Sequence, residues 1–386
     1  MRMTIKTAIF LAAAIAMCDV AACTSAIISG AKTLNGRPLL WKHRDTGEEN
    51  NKVERIKATN GTFEYVALYN ASDSLCKEAW MGYNSEGFAI MNTASYNLKD
   101  DDVKDMDKEG VVMTEALKKC RTVDDFGRLL DGMPKPLGVE ANFGVIDADG
   151  NGAYFETNNT RYTRYNLNDA PDGVMIRTNY SYSGRKDKGM GYIRENNERY
   201  LFPKHILAGD FTPAFFTEEV SRTFYNSLLE KDYTNCGDAW IVDQDFIPRR
   251  SSTATTVIEG VKAGENPALT VMWIGIGYPP CSEVRAAWLG DNGVPEELRG
   301  IEVNGHSPLC DKVVNRKHEV FSIKRGNGKN YLNLRLLYNP QGTGYCQMLI
   351  PENLKTYKAG YAERDRRAAM LNVEKTGNKK LKNNKK

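Results

Sequence analysis

Short stretches in which apolar and polar positions alternate dominate the chain. Thr24-Ser25-Ala26-Ile27-Ile28-Ser29-Gly30 is short, β-prone and closed by glycine, which predicts a strand over Ser25 to Ser29. Asn35-Gly36 is a strong hairpin turn signal. Arg37 to His43 returns as a second strand and delivers Lys42-His43-Arg44-Asp45 to the place where the first strand begins. Val53 to Ile56 and Phe63 to Tyr69 read as further strands. Trp80 to Asn92 reads as strand, turn, strand, with Tyr83-Asn84-Ser85-Glu86-Gly87 as the turn. Met113 to Cys120 and Val123 to Leu130 carry apolar residues at helical spacing, and Thr122 is an N-cap for the second.

The same reading gives strands over Asn142 to Ile146, Ala153 to Thr157 and Val174 to Thr178. It gives helices over Glu195 to His205 and Thr217 to Leu229. Strands return over Ala254 to Glu259, Leu269 to Gly275 and Tyr331 to Tyr338, and Asn353 to Leu371 is a charged helical end. Strands therefore come in antiparallel clusters with helices in blocks. Regular βαβ alternation is absent, which disfavours a doubly wound parallel sheet and favours an α+β fold with sheets packed between helix layers.

Composition changes this picture only at the ends. With 386 residues, 41% hydrophobic and 26% charged, the chain is ordinary globular material. Met1 to Ala22 differs: Arg2 and Lys6, an uncharged apolar run from Ala8 to Met17, then Val20-Ala21-Ala22. That is the pattern of a cleaved export signal, and its apolar run is too short to span a bilayer. The expected organisation is a signal over residues 1–22, one domain over 23–371 whose part after about residue 260 completes or decorates it, and a basic disordered tail over 372–386. That tail holds six lysines and one glutamate, so the formal charge of +3 comes from the tail while the body is mildly acidic. No basic patch with interleaved aromatics occurs in the body, so nucleic acid is not an expected partner, and no later segment is long and apolar enough for a transmembrane helix. Cys18 leaves with the signal. Cys23 remains with Cys76, Cys120, Cys236, Cys281, Cys310 and Cys346, and no CxxC pair suggests zinc. The last six are candidates for disulfides in an oxidising compartment or for buried apolar thiols. Association with further copies is left open.

The cut after Ala22 would expose Cys23. A thiolate is the strongest neutral-pH nucleophile among side chains. At a mature N-terminus its own α-amine titrates near pH 7.7–8.0 in model peptides and lies within reach of the sulfur. One residue then supplies nucleophile and base. Val20-Ala21-Ala22-Cys23 also fits a lipoprotein acceptor, in which the cysteine carries lipid. The residues after Cys23 separate the two: a lipid anchor continues into a polar tether, whereas here the chain enters a strand at once.

Cys23-Thr24-Ser25-Ala26, followed after the hairpin by Gly36-Arg37-Pro38-Leu39-Leu40-Trp41-Lys42-His43-Arg44-Asp45, resembles the start of the N-terminal-nucleophile hydrolases. The branches it is most similar to are the choloylglycine hydrolase and penicillin V acylase group, and the peptidase C45-like acyltransferase group. The resemblance spans Cys23 to about Gly260. It implies a four-layer αββα sandwich and catalytic roles for five residues: Cys23 as nucleophile, Asp45 beside the new amine, Asn92 and Asn179 as oxyanion donors, and Arg194 as a supporting cation chosen over Arg185 and Arg199. The family has an arginine where Lys42 stands, which leaves open whether Lys42 or Arg44 supports the nucleophile.

The implied reaction is hydrolysis of a linear, non-peptide amide by an exported enzyme, periplasmic or extracellular, through a thioester and without metal or cofactor. Bile-salt conjugates, acyl-homoserine lactones, β-lactam side chains, N-acyl amino acids and dipeptides all fit the resemblance, as does transfer to another amine. Gly275 to Pro280 suits either an apolar acyl pocket or core. The four histidines form no evident ligand set. From another class altogether, a surface lipoprotein binding module lipidated on Cys23 is the alternative.

Overall fold

The computed structural model describes residues 22–234, 237, 239–323 and 330–383. The expected signal up to residue 21 and Cys236 lie outside the described residues.

In the first half of the chain the strands are β1 (Thr24–Ile28), β2 (Leu39–Asp45), β3 (Asn51–Ile56), β4 (Tyr65–Asn70), β5 (Met81–Asn84) and β6 (Ala89–Ala94). Helices α1 (Glu109–Lys119) and α2 (Val123–Gly132) precede β7 (Ala141–Ile146), β8 (Gly152–Thr157), β9 (Tyr162–Asn166) and β10 (Val174–Arg177). Then come α3 (Tyr192–Leu201), α4 (Pro203–Ala208), the short strands β11 (Tyr225–Asn226), β12 (Lys231–Asp232) and β13 (Trp240–Asp243), and the long β14 (Ser252–Glu259). β15 (Val271–Ile276), β16 (Val284–Ala287), α5 (Pro308–Val320), β17 (Asn330–Asn333) and α6 (Tyr345–Asn383) complete the chain.

Two antiparallel sheets form the centre. One has six strands in the order β10-β1-β2-β14-β15-β16, and the other is a seven-stranded meander from β3 to β9. Strand alternation sets the layers. Ile27 of β1, Leu40 of β2, and Ala89 and Met91 of β6 fill the space between the sheets. Their neighbours Ala26, Ile28, Leu39 and Trp41 face outward beneath Phe202, Phe216 and Tyr357 from the helical segments over the six-stranded sheet. On the far side Ile90, Phe143 and Phe155 meet Met113, Leu117 and Phe126 of α1 and α2. The result is the four-layer αββα sandwich. β15 and β16 extend the first sheet, and α6 packs Tyr357 and Tyr361 onto Trp273.

Local signals explain several boundaries. Thr122 and Asp125 form a capping box that starts α2. The helix expected over Glu195 to His205 breaks at Pro203, which has no N–H to donate and instead opens α4. The helix expected over Thr217 to Leu229 does not form. The chain makes a π turn over Phe215–Glu219 and a 3₁₀ turn over Val220–Arg222, then enters β11. Buried Arg222 donates to the carbonyls of Thr217 (3.1 Å), Pro280 (3.2 Å) and Ser282 (2.8 Å), and the Asn226 side chain accepts from the amides of Leu228 and Leu229. These side-chain bonds replace helical ones. Tyr331 to Tyr338 keeps a strand only to Asn333 and then makes a 3₁₀ turn. Tyr278 and Cys281, in and beside the Gly275 to Pro280 stretch, belong to the core facing α5.

Candidate active site

Cys23 stands one residue ahead of β1. The register sets Thr24 against His43 and Ser25 against Lys42, so Cys23 meets the end of β2. Its Sγ lies 3.9 Å from the Asp45 carbonyl oxygen, and the residue is 5% exposed with its nitrogen still joined to Ala22. Strand alternation then divides its surroundings into two sides.

Between the sheets, Cys23 and Ser25 share a face with Lys42 and Arg44. Lys42 Nζ is fully enclosed and donates to the Trp80 carbonyl (2.9 Å) and to Asn92 Oδ1 (2.7 Å). An ammonium only donates, so this bond fixes the Asn92 amide with its oxygen toward Lys42 and its NH₂ turned away. Burial pushes Lys42 down to about 8, against an opposing pull from the Cys23 sulfur. Arg44 donates to Asn51 and to Asn70 Oδ1 (2.7 Å) and lies over the Trp80 ring. Glu109, at the start of α1, contributes to the field at Lys42, and burial pushes its carboxyl up to about 7.

On the outer side, beneath the helices, the Asp45 carboxylate is completely buried. It accepts from Arg249 and from Ser252 Oγ (2.5 Å). The same Arg249 nitrogen donates to the Ala22 carbonyl. Arg194, from the first turn of α3, donates to the Cys23 carbonyl, to Thr24 Oγ1 and to Asn179 Oδ1, each at 2.7 Å. Burial, reinforced by Arg249, lowers Arg194 to about 9, which leaves it cationic at neutral pH. Asn179 Nδ2 donates to the Ala94 carbonyl at 2.8 Å, linking this side to β6. Glu198, one turn beyond Arg194, is fully buried with neither oxygen partnered, and burial pushes its carboxyl well above the usual range.

Two local devices hold these groups. Gly191 has φ +94° and lies so close to Arg194 that a Cβ there would meet Nη2 at 2.5 Å. Asn97 accepts from the Ser181 amide and donates to the Ser181 and Arg185 carbonyls, which folds the loop after Asn179 into a fixed shape.

The five residues singled out in the sequence thus converge: Asp45 and Arg194 directly on Cys23, Asn179 through Arg194, and Asn92 through Lys42. Arg185 and Arg199 are engaged elsewhere, on the Lys99 carbonyl and on Glu195. Arg249 and Ser252 carry no signal in the sequence. A β-bulge at Thr253 shifts the register between Ser252 and Ala254 and puts Ser252 opposite Asp45, and no local pattern marks such a bulge. His43 is buried beside them; His205, His306 and His318 pair separately with Asp210, Asp311 and Glu49. Among the described residues no group of three or more His, Cys, Asp or Glu is placed to hold a metal ion. Cys76, Cys120, Cys281, Cys310 and Cys346 are free thiols.

No family model matches the chain, and no curated protein matches it. Among solved structures it is similar to a mutant conjugated bile acid hydrolase from Clostridium perfringens, with 12% identity and a TM-score of 0.39 over 69% of this chain and 92% of that one. An N-acylethanolamine-hydrolyzing acid amidase ortholog from Caenorhabditis elegans gives 12% identity and a TM-score of 0.37 over 61% and 92%. Penicillin V acylase from Agrobacterium tumefaciens gives 12% and 0.35 over 69% and 86%.

Proposed function

We infer that this chain is an exported amide hydrolase whose nucleophile is Cys23, uncovered by removal of residues 1–22. The observation that carries the reading is the Ala22–Cys23 junction itself. A core strand starts directly after it, partly buried Arg249 donates to the Ala22 carbonyl and to buried Asp45, and buried Arg194 donates to the Cys23 carbonyl. A lipid-bearing cysteine has no use for that arrangement.

In the mature chain the Cys23 α-amine takes the thiol proton and the sulfur attacks the amide carbonyl. The oxyanion is stabilised by the Asn92 amide, turned toward it by Lys42, with Asn179 held ready by Arg194. Collapse breaks the C–N bond, and the amine leaves with the proton from the α-ammonium. Water then attacks the thioester, releasing the acid and restoring the thiol. Asp45 accepts from the α-amine and orients its lone pair toward the sulfur. No step calls on a metal or cofactor, and the substrate is a small-molecule amide.

Intact-mass measurement and an amide panel test this. The expected mature protein begins at a free Cys23, and Cys23→Ala lowers hydrolysis on the order of a thousandfold or more. A diacylglyceryl adduct on Cys23, or unchanged hydrolysis in the variant, refutes the reading.

A further inference from the structure

His43 and its neighbours form a hydrogen-bond chain that ends on Asp45. Trp41 Nε1 lies 3.0 Å from Thr255 Oγ1, which lies 2.7 Å from Ser221 Oγ. Ser221 Oγ is 3.1 Å from His43 Nδ1, and His43 Nε2 is 2.8 Å from Ser252 Oγ, which reaches Asp45 Oδ1 at 2.5 Å. All six residues are fully buried or within 1% of it.

The proton positions are set by the two ends. A carboxylate oxygen receiving a 2.5 Å contact requires the Ser252 hydroxyl proton, and Ser252 Oγ also accepts the Arg249 amide N–H at 2.9 Å. Ser252 has no second proton for His43, so His43 Nε2 must carry the hydrogen. Burial keeps the ring neutral at pH 7, so Nδ1 is an acceptor and takes the Ser221 proton. Ser221 in turn accepts from Thr255, whose oxygen accepts from the donor-only indole of Trp41. Every bond therefore points one way, from Trp41 to Asp45.

We propose that His43 is a positioning residue for the reaction, locked as the neutral Nε2–H tautomer by this one-way chain so that Ser252 presents a fixed donor to Asp45. The chain is no proton relay, because its far end is a buried indole with nothing to deliver. Its work is to leave Asp45 no rotational freedom when the Cys23 amine forms. This role rests on the amide-hydrolase reading, whereas the tautomer does not. The charged groups facing His43 are Asp45 on its own strand, Arg249 on the segment before β14 and Arg194 on α3. The charges felt at Asp45 also include Lys42 and Arg44 from the opposite face of β2, and Asp243 of β13.

The test is nitrogen-detected NMR of histidine side chains in the whole protein, with His43 assigned by its loss in His43→Gln, or by its perturbation in Ser221→Ala should the first variant not fold. A single Nε2–H form, unchanged from pH 5 to 9, is expected. An Nδ1–H form or a doubly protonated ring at pH 7 overturns the proposal whatever the enzyme hydrolyses. On the panel, Ser252→Ala is expected to lower kcat by about 10- to 100-fold with KM little changed and to move the pH profile. Ser252→Thr, which keeps the hydroxyl, is expected to restore both. Wild-type kcat and pH profile in Ser252→Ala refute the positioning role, while absence of turnover in the wild type refutes the hydrolase reading and leaves the tautomer result standing.

Discussion

At Lys42 and His43 two adjacent basic side chains are both buried, and both are held below their ordinary proton affinity. His43 is pushed by burial to about 4 from a usual 6.5. Between those values an unfolded chain binds a proton that the folded one refuses, so falling pH favours unfolding across that window. The expected loss from pH 6.5 to 4 is about 3 kcal/mol, and denaturant titration of His43→Gln should lack that part of the slope. Lys42 acts on the opposite face of β2 through the Asn92 amide. Replacing Asn92 with leucine keeps the size and removes the donor, so kcat should fall by about 10²- to 10³-fold in steady-state assays while KM holds. Neither consequence was legible in the sequence. Lys42 reads there as a departure from a family arginine, and His43 as a stray histidine, because desolvation and partners come from strands and turns far along the chain.

Elements were far more legible than their ends. β1, β2 and the β5–β6 hairpin follow from alternation and turn residues, and α2 from its cap. Thr122→Ala should cost about 1 kcal/mol by denaturant melt without touching activity. Thr217 to Leu229 misled because apolar spacing cannot show that Arg222 will seek carbonyls from Pro280 and Ser282. Arg249 stayed hidden for a related reason: the bulge that brings Ser252 to Asp45 is a property of β14 paired with β2, and of neither alone. Gly191 belongs to this scale too. Gly191→Ala forces a side chain into a left-handed backbone and against Arg194, so about 1–3 kcal/mol of stability and much of the activity should go together.

For the whole molecule, packing of sheet on sheet and helix on sheet was predictable from the order of elements, but the ties between distant segments were not. Arg364 of α6 forms a two-pronged pair with Glu259 of β14 at 2.9 and 2.7 Å, both buried, and holds that carboxyl down although burial alone would raise it. Arg364→Met should leave the buried Glu259 charge to the neutral donors Asn35 and Trp273 and cost about 3–5 kcal/mol, read as a lowered melting temperature. β1 has a further consequence. Because successive residues of a strand face opposite ways, the first residues of this one belong to two enclosed polar rooms: the sulfur opens into that of Lys42 and Asn92, the backbone at position 23 into that of Asp45, Arg249 and Arg194. The strand is thus a partition wall with the Cys23 thiol set in its edge. On the proposed mechanism, substitutions on the Lys42 side should alter the surroundings of the sulfur, and those on the Asp45 side the handling of the backbone amine, each without disturbing the other.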